Sequence, residues 1–388
     1  MLIRVYKILL ISVLIISRGM AQDSESMPNI LVKGYIKEMP SVQVNENFSD
    51  PVFSNLVHNR INLRLNITSG FHFVAEGRNR LFTSEMIHDF PLVKELIEFD
   101  PGLVDMSWVW LHAGSWLGHS VIDRLYADWR MKDWQIRAGR QRINWGINLV
   151  SNPNDLFNTY SYFDFDYEER PGADAIRIQH YMGGMSRAQL AVSPSKNSRE
   201  MVAAAMLNLN HLNYDFQALG GYYRNRSALG LGWAGHIGGA GFKGEVTWFY
   251  DLEKIPETDR GNLVAAIGFD YMFGTGTFGV AEFLYNGGFN RASTDVVLVT
   301  QPLQPDNIMF SEYAVTLSTQ HSFSRILGGG VAMMLLPDIE SLFVMPSLSY
   351  SLLTNFDIQF LAQIFKGSTG SIFENTGTAG FLILQYSF

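Results

Sequence analysis

The sequence has no cysteine, little charge and, after its first 21 residues, no long apolar run. The absence of cysteine excludes a disulfide framework and a lipid-anchored cysteine. A membrane-spanning helix takes about 20 apolar residues, so no later segment predicts one. Charged residues make up 17% of the chain, whereas a soluble globular domain usually has about 25%. Hydrophobic residues nevertheless make up 47%, which indicates apolar side chains spread thinly along strands.

The N-terminus has the pattern of a cleavable secretory signal. Arg4 and Lys7 precede an apolar core at 8–16, and small residues follow up to Ala21. We predict a signal peptide at 1–21 and a single mature domain at 22–388. Removing the three cations of the signal leaves 26 Lys and Arg residues against 37 Asp and Glu residues, a net charge near −11. Such an acidic chain is not predicted to bind nucleic acid.

Segments of alternating polarity recur along the mature chain. In RINLRLNI (60–67) the odd positions are apolar and the even positions polar, and 124–131, 242–250 and 356–364 alternate similarly. An all-strand protein in lipid must close into a barrel, because every backbone amide needs an internal partner. The last stretch, GFLILQYSF, also alternates and ends in Phe388. This ending resembles the insertion signal of bacterial outer-membrane barrels, which predicts recognition by the barrel-insertion machinery.

The connections predict the number of strands. Eight tight turns alternate with nine longer or more polar loops, as short periplasmic turns alternate with extracellular loops in such barrels. The turns are expected at 69–70, 132–133, 183–184, 211–212, 238–239, 274–276, 322–324 and 354–355. This alternation predicts an all-β transmembrane antiparallel β-barrel of 18 strands, with both termini in the periplasm. An extra hairpin at 107–116 keeps 16 or 20 strands open, and the long loops 82–120 and 145–172 are expected to fold inward.

Arginine is concentrated on the early strands, since twelve arginines of the mature chain precede residue 190 and six follow it. Most share the predicted lumen-facing row, where water spares them the cost of about 2–4 kcal/mol for a cation at the bilayer midplane. Guanidinium groups pair bidentately with carboxylate or phosphate, so an arginine-rich wall would favour anions. The same residues could instead cross-link the inner wall through ion pairs. The predicted pore-lining and substrate-binding residues are Arg60, Arg64, Arg78, Arg124, Arg130, Arg137, Arg140, Arg177, Glu76 and Asp128.

Arg140 does not fit the alternation of lumen-facing and lipid-facing residues. Under strict alternation it shares the face of Trp134 and Ile136, which would point to lipid. A bulge at Gly139 would turn it back to the lumen, and this is the arrangement that we expect. The alternative is that Arg140 and Arg142 stand above the membrane.

The segment IRAGRQRINWG, a polar loop and then RPGADAIRI together resemble the strand–loop–strand signature of large outer-membrane porins. The likeness, which spans 136–178, is closest to the alginate-export-like and related porin-like 18-stranded barrels. The matching residues are Gly139, Arg140, Gln141, Gly146, Asp174, Ala175 and Arg177. The resemblance implies passage of hydrophilic, often anionic solutes through an arginine-lined pore. The later strands lack a basic belt, which puts export of a highly charged polysaccharide in doubt.

The sequence therefore predicts an outer-membrane porin-like channel for passive diffusion of small hydrophilic, anionic solutes. Its partners would be outer-membrane lipid and the solute. The porin resemblance also allows a homotrimer, although no pattern in the sequence demands one. An exporter of an anionic polysaccharide is one alternative, and a plugged structural or adhesion barrel with partner-binding loops is another.

No enzyme, cofactor or metal site is predicted. The motif GTGTFG at 274–279 lies between strands, whereas a nucleotide site needs a helix after it. The nine histidines lack metal-ligand spacing. His-Ser pairs at 119–120 and 321–322 resemble those of outer-membrane phospholipases but lack the usual following asparagine. The acids of DFDYEE at 164–169 could hold calcium, although solvated carboxylates are the simpler interpretation.

Overall fold

A computed structural model describes residues 29–89, 92–158, 172–183, 185–253, 260–289 and 303–388. The predicted signal peptide and the DFDYEE motif lie outside these residues. The strands are β1 (Asn29–Val44), β2 (Val52–Thr68), β3 (Phe71–Ser84), β4 (Ser107–Ala113), β5 (Trp116–Met131), β6 (Trp134–Gln141), β7 (Ala173–Tyr181), β8 (Arg187–Ser193), β9 (Val202–His211), β10 (Tyr214–Tyr223), β11 (Arg226–Ile237), β12 (Ala240–Asp251), β13 (Gly261–Met272), β14 (Thr277–Asn286), β15 (Tyr313–Ser322), β16 (Leu327–Leu336), β17 (Ser341–Leu353), β18 (Phe356–Gly367) and β19 (Thr378–Ser387). Two short helices, α1 (Glu85–Asp89) and α2 (Val93–Glu98), lie between β3 and β4.

The strands form one antiparallel sheet that closes on itself, because β1 pairs with both β2 and β19. The prediction of an 18-stranded barrel is confirmed. The extra hairpin at 107–116 also forms, but it adds no strand to the closed wall. β3 pairs along all of β5, while the opposite edge of β5 pairs first with β4 and then with β6. β4 therefore continues the wall above the end of β6.

The predicted tight turns coincide with the observed ones. β2 and β3 are joined by 69–70, β11 and β12 by 238–239, and β17 and β18 by 354–355. The turn between β9 and β10 lies one residue later than expected, at 212–213. β1 extends to Val44, because its register with β2 continues to Gln43.

The two faces of the wall differ in polarity. Large apolar side chains such as Leu63, Leu231, Trp248 and Phe360 are exposed on the outward face. This apolar outward band is the surface of a barrel that spans a membrane. No helix among the described residues is long and apolar enough to cross a membrane.

Aromatic side chains gather near the tight-turn end of the barrel. Trp134 stacks on His180 with ring centroids 4.3 Å apart. Tyr271 packs edge-on against Phe273 at 4.9 Å beside another tight turn. Aromatic girdles mark the membrane–water boundary of such barrels, so this row indicates one boundary of the apolar band.

The last residue closes the wall. Phe388 and Gly34 exchange two backbone hydrogen bonds of 2.9 Å. The Phe388 ring lies over Gly34, where a Cβ atom would approach it to 2.7 Å. Glycine at this position therefore leaves room for the terminal aromatic ring.

The bulge expected at Gly139 is not found there. β6 pairs with β5 and with β7 without any offset, although Gly139 has φ +118°. The irregularity lies instead in β5, where Glu76 opposes Arg124 and Gly77 opposes Ile122. The residue between them is an aspartate, and nothing in the local sequence marks it as a bulge.

Replacing Gly139 by alanine should destabilise the barrel by about 1–3 kcal/mol, since only glycine tolerates this backbone conformation easily. A Cβ atom at Gly139 would also collide with the carbonyl oxygen of Leu125. Thermal unfolding in detergent measures the loss. The control is Gly183→Ala, because Gly183 has φ +87° but open space around its Cβ position. Equal unfolding temperatures for the two variants would contradict the role of the collision.

Candidate functional site: the inner wall

A buried ion-pair cluster joins β2, β3 and β5. The Arg60 guanidinium lies 2.5 Å from the Asp123 carboxylate and 2.7 Å from that of Glu76. Arg78 lies 3.9 Å from the same Asp123 oxygen, and Arg124 donates to the Asp123 backbone carbonyl at 2.8 Å. Arg60 and Arg78 stand directly opposite each other in the ladder. Like charges in this position repel, so Asp123, brought inward by the bulge, offsets the repulsion.

A second cluster surrounds Asp128, which is fully buried on β5. Arg137 contacts Asp128 Oδ2 through Nη2 at 2.6 Å and Nε at 2.7 Å. Gln135 donates to the same oxygen at 2.6 Å, and the exposed Arg130 lies 3.8 Å from the other oxygen. The Arg137 guanidinium also lies 4.4 Å from the centre of the Tyr126 ring. Arg137 is therefore held at one place on the wall.

Arg64 and Arg177 lack such partners. Arg177 stands opposite Arg137 in the ladder and donates to Gln135 Oε1 at 3.3 Å. Arg64 is exposed and donates to Asn66 Oδ1 at 2.9 Å. Within the described part of the chain neither forms an ion pair, and Nε of Arg177 has no hydrogen-bond acceptor. No carboxylate of the described residues therefore neutralises these two cations.

Arg140 is separate from these clusters. Its ladder partners are Leu125 and Asp174, and Leu125 is exposed on the outward face. Paired residues share a face, so Arg140 lies on the outward side, and its assignment to the pore lining is corrected. The guanidinium contacts Asp100 at 2.7 Å, Asp174 at 2.7 Å and the carbonyl of Val104 at 2.6 Å. Without an inserted residue at Gly139, nothing returns Arg140 to the lumen.

The segment 142–158 folds against the inner wall opposite the arginines. Its backbone amides point at two buried glutamates, Glu245 on β12 and Glu282 on β14. Glu245 accepts from the amides of Ile147, Asn148 at 2.7 Å and Asn154 at 2.9 Å. Glu282 accepts from the amides of Val150 at 3.2 Å and Ser151 at 2.7 Å. Charge-assisted bonds to backbone donors are among the strong ones, so five of them fix this segment.

Small residues make room for the segment on the inner wall. A Cβ atom at Gly230 or Gly232 would come within 3.0 Å of the Asn154 side chain. In the space that these glycines leave, the Asn154 amide donates to Gln217 Oε1 at 2.7 Å, and Gln217 donates to the Trp145 carbonyl at 2.9 Å. Trp145 itself is buried in the main apolar cluster of the barrel. The sequence predicts an inward turn at 145–172, but it does not indicate the glutamates that hold the segment 142–158. The available signal was an acid in the middle of the inward row of a strand, Glu245 in AGFKGEVTWFYD and Glu282 in TFGVAEFLYN.

A second inner segment, 303–312, was not expected. Ile308, Met309 and Phe310 are buried in the same apolar cluster. Arg226 on β11 holds this segment through Asp306 at 2.8 Å and also contacts Asp251 at 2.6 Å. Burial raises the pKa of the Asp306 carboxyl, and the Arg226 charge acts against that rise.

The other long loop, 82–120, divides into two parts. Ile87 of α1 is buried, and α1 packs against β2, β3 and β5. The following stretch, 92–110, leaves most of its large apolar side chains exposed.

His119, the histidine of the sequence pair at 119–120, contacts Ser107, a serine outside that pair. Ser107 Oγ lies 2.7 Å from His119 Nε2, and Arg80 lies 3.0 Å from His119 Nδ1. Arginine only donates hydrogen bonds, so Nδ1 must accept and Nε2 carries the proton. A histidine in this tautomer cannot take a proton from serine. In a catalytic triad the third residue is an acceptor that imposes the opposite tautomer.

Comparison with known proteins identifies the fold. No protein-family model and no curated protein matches the sequence. The solved structure of the outer membrane protein OprD from Pseudomonas aeruginosa matches with a TM-score of 0.61 at 8% identity, over 95% of each chain. OccAB2 from Acinetobacter baumannii matches with a TM-score of 0.58 at 10% identity, over 94% of this chain and 99% of its own. OccK5 (OpdH) from P. aeruginosa matches with a TM-score of 0.59 at 11% identity, over 92% of this chain and 98% of its own.

These identities are low enough that the matches show the fold alone. The chain has the closed 18-stranded barrel fold of outer-membrane porins. The more specific likeness to alginate-export-like barrels stays a prediction.

Replacing Glu245 by glutamine should loosen the segment 142–158. Glutamine has one acceptor oxygen, and its amino group would face backbone donors, at a cost of about 1–3 kcal/mol for each donor left unpaired. We expect a lower unfolding temperature and faster protease cleavage within 142–158. The control is Asp357→Asn near a tight turn, where the exposed carboxylate accepts only from Ser351 among the described residues. Unchanged protease cleavage in Glu245→Gln would show that the glutamate does not anchor the segment.

Proposed function

We propose that the protein is an outer-membrane channel through which small hydrophilic, anionic solutes diffuse passively. The single observation that carries this proposal is the imbalance of charge on the inward rows of β2 to β8. These rows carry Arg60, Arg64, Arg78, Arg80, Arg124, Arg130, Arg137, Arg177 and Arg187 against Glu76, Asp123 and Asp128. On these described strands three carboxylates face nine guanidinium groups, and Arg64 and Arg177 form no ion pair there.

The ion pairs and the excess charge have different consequences. Arg60 and Arg78 share Asp123, and Arg60 also contacts Glu76, while Arg137 contacts Asp128, so these ion pairs hold neighbouring strands together. Arg64 and Arg177 have no carboxylate within ion-pair distance among the described residues. A positive field inside a low-dielectric wall concentrates anions. The cross-linking and solute-selecting roles therefore belong to different members of one row.

The solute would pass between the arginine row and the segment 142–158. That segment is fixed to β12 and β14 through Glu245 and Glu282, so it would narrow the lumen from the opposite side. Within this proposal, no step requires a cofactor or bond chemistry. The homotrimer and recognition of the Phe388 strand by the insertion machinery stay predictions.

A plugged barrel is the second candidate. The segments 142–158 and 303–312 bring Trp145, Leu156, Ile308 and Phe310 into one apolar cluster on the inner face. If this cluster fills the cross-section, the barrel would present its loops to a partner and conduct no ions. Conductance in a planar bilayer separates the two candidates, because a channel gives discrete current steps and a plugged barrel gives none.

Replacing Arg177 by glutamine should reduce the preference for anions. A unit charge about 5 Å from an ion in water is worth about 0.8 kcal/mol, and salt screens part of it, so we expect a two- to fourfold fall in the anion-to-cation permeability ratio. Reversal potential across a salt gradient measures this ratio. Arg325→Gln removes the same charge at an exposed tight turn and should have a smaller effect. Equal effects of both variants would mean that Arg177 does not line the ion path.

Replacing Asp128 by asparagine should change selectivity in the opposite direction. The substitution removes the negative charge that Arg137 contacts at 2.6 Å while keeping the side-chain volume. The permeability ratio should rise in favour of anions by about the same factor, because the net charge of the wall increases by one unit. The measurement uses variant channels that have already inserted into the bilayer. A fall in anion preference would contradict the charge-imbalance argument.

A further inference from the structure

The barrel wall is lower at β6 to β8 than at the neighbouring strands, because β6 to β8 are short. These strands contain 8, 9 and 7 residues, whereas β5 contains 16 and β9 contains 10. A tilted strand needs about 9–11 residues to cross the hydrocarbon core. β7 only reaches the lower limit of this range and β6 and β8 fall short of it, so on this side the strands alone do not supply a full lipid-facing surface.

The outward-facing Arg140 lies at this lower part of the wall, within the expected height of the membrane. It is six residues above Trp134 at the tight-turn end of β6, which corresponds to about 15 Å at a rise of 3.3 Å per residue and a strand tilt near 40°. The apolar band of such barrels is about 25 Å tall. A cation at this depth must be covered and paired. Asp100, Gly102 and Val104 from the stretch 92–110 surround it together with Asp174.

The stretch 92–110 has the polarity of a surface that faces lipid. Three of its four acids turn toward the barrel or its own backbone, while Glu95 is exposed: Asp100 pairs with Arg140, Glu98 accepts from the amide of Val109, and Asp105 accepts from the amide of Ser107. Its apolar side chains are exposed instead: Leu92, Leu96, Phe99, Val104, Trp108 and Trp110. A loop in water would show the reverse arrangement.

Trp110 connects this stretch to the outer face of the wall. Its indole ring lies over Gly118, and its Nε1 donates to Ser120 Oγ at 3.1 Å. Ser120 in turn donates to Asn79 at 2.7 Å, and Asn79 donates to Asn59 at 3.3 Å. Ser120, Asn79 and Asn59 lie in the outward row. Their hydrogen bonds to one another and to the Trp110 indole keep these polar groups paired beside lipid.

We propose that the stretch 92–110 is an outer flap that rests in the outer leaflet of the membrane and completes the lipid-facing surface above β6 to β8. Its partner is the acyl-chain region of lipid. The flap is held by the Arg140 ion pairs with Asp100 and Asp174. It is continuous with the apolar band through Trp110, and it replaces the strand length that this side lacks. This arrangement does not depend on whether the barrel conducts solutes.

Single-cysteine labelling tests the flap directly, because the chain has no native cysteine. Phe99→Cys carries an environment-sensitive fluorophore in phosphatidylcholine vesicles whose acyl chains are brominated. We expect a loss of fluorescence comparable with that of Leu231→Cys on the outward face of β11. The matched control is Phe48→Cys, since Phe48 and Phe99 are 75% and 68% exposed at the loop end of the barrel. The Phe48 label, above the long strands β1 and β2, should lose little fluorescence.

A Phe99 label that is quenched no more than the Phe48 label would overturn the proposal, whether the flap faces water or a second copy of the chain. The role of the ion pair between Asp100 and Arg140 is tested by adding Asp100→Asn to Phe99→Cys. The quenching should fall toward that of the Phe48 label, while Leu231→Cys in the same background stays quenched. Unchanged quenching would refute the role of the ion pair. If the double variant does not fold, the comparison of Phe99 with Phe48 still decides where the flap lies.

Discussion

The rest of the structure depends on the pairing of backbone amides where no water is available. A sheet in lipid cannot leave an edge, so the first and last strands must meet. They do so through the ladder of β1 and β19 and the two bonds between Gly34 and Phe388. Closure fixes an inner and an outer face for every strand, and this division determines where each side chain of the wall can lie. The alternation of inward and outward side chains along each strand is therefore the strongest structural information in the sequence.

On the inner face, the positions of the carboxylates determine which arginines are neutralised. Arg60 and Arg78 oppose each other across β2 and β3, and Arg137 opposes Arg177 across β6 and β7. The first pair is relieved by Asp123, whereas the second has one carboxylate, Asp128, on the side of Arg137 alone. The ion pairs stabilise the wall by neutralising some arginines, and in the proposed channel the remaining arginines would act on a solute. The proposed selectivity follows from the incomplete pairing.

The sequence was informative where a residue type alone determines geometry. Tight turns and alternation predicted the barrel and its 18 strands, since both are set locally. The bulge could not be located, because a bulge at Asp123 leaves no mark in residue type, while Gly139 offered a false one. Arg140 was consequently placed on the wrong face. The partners of Glu245 and Glu282 lie about a hundred residues away in the chain, and no local pattern reports contacts of that range.

The two glutamates also affect how the arginines act. Their charges lie on the wall opposite the arginine row, and backbone amides rather than cations satisfy them. Amide donors satisfy the carboxylate oxygens, so these glutamates hold the segment without taking any arginine from the opposite row. The positive potential of the proposed pore would then be concentrated along the arginine row. In the proposed channel, a solute with separated charges would be oriented as it passes, with its anionic end toward the unpaired Arg177.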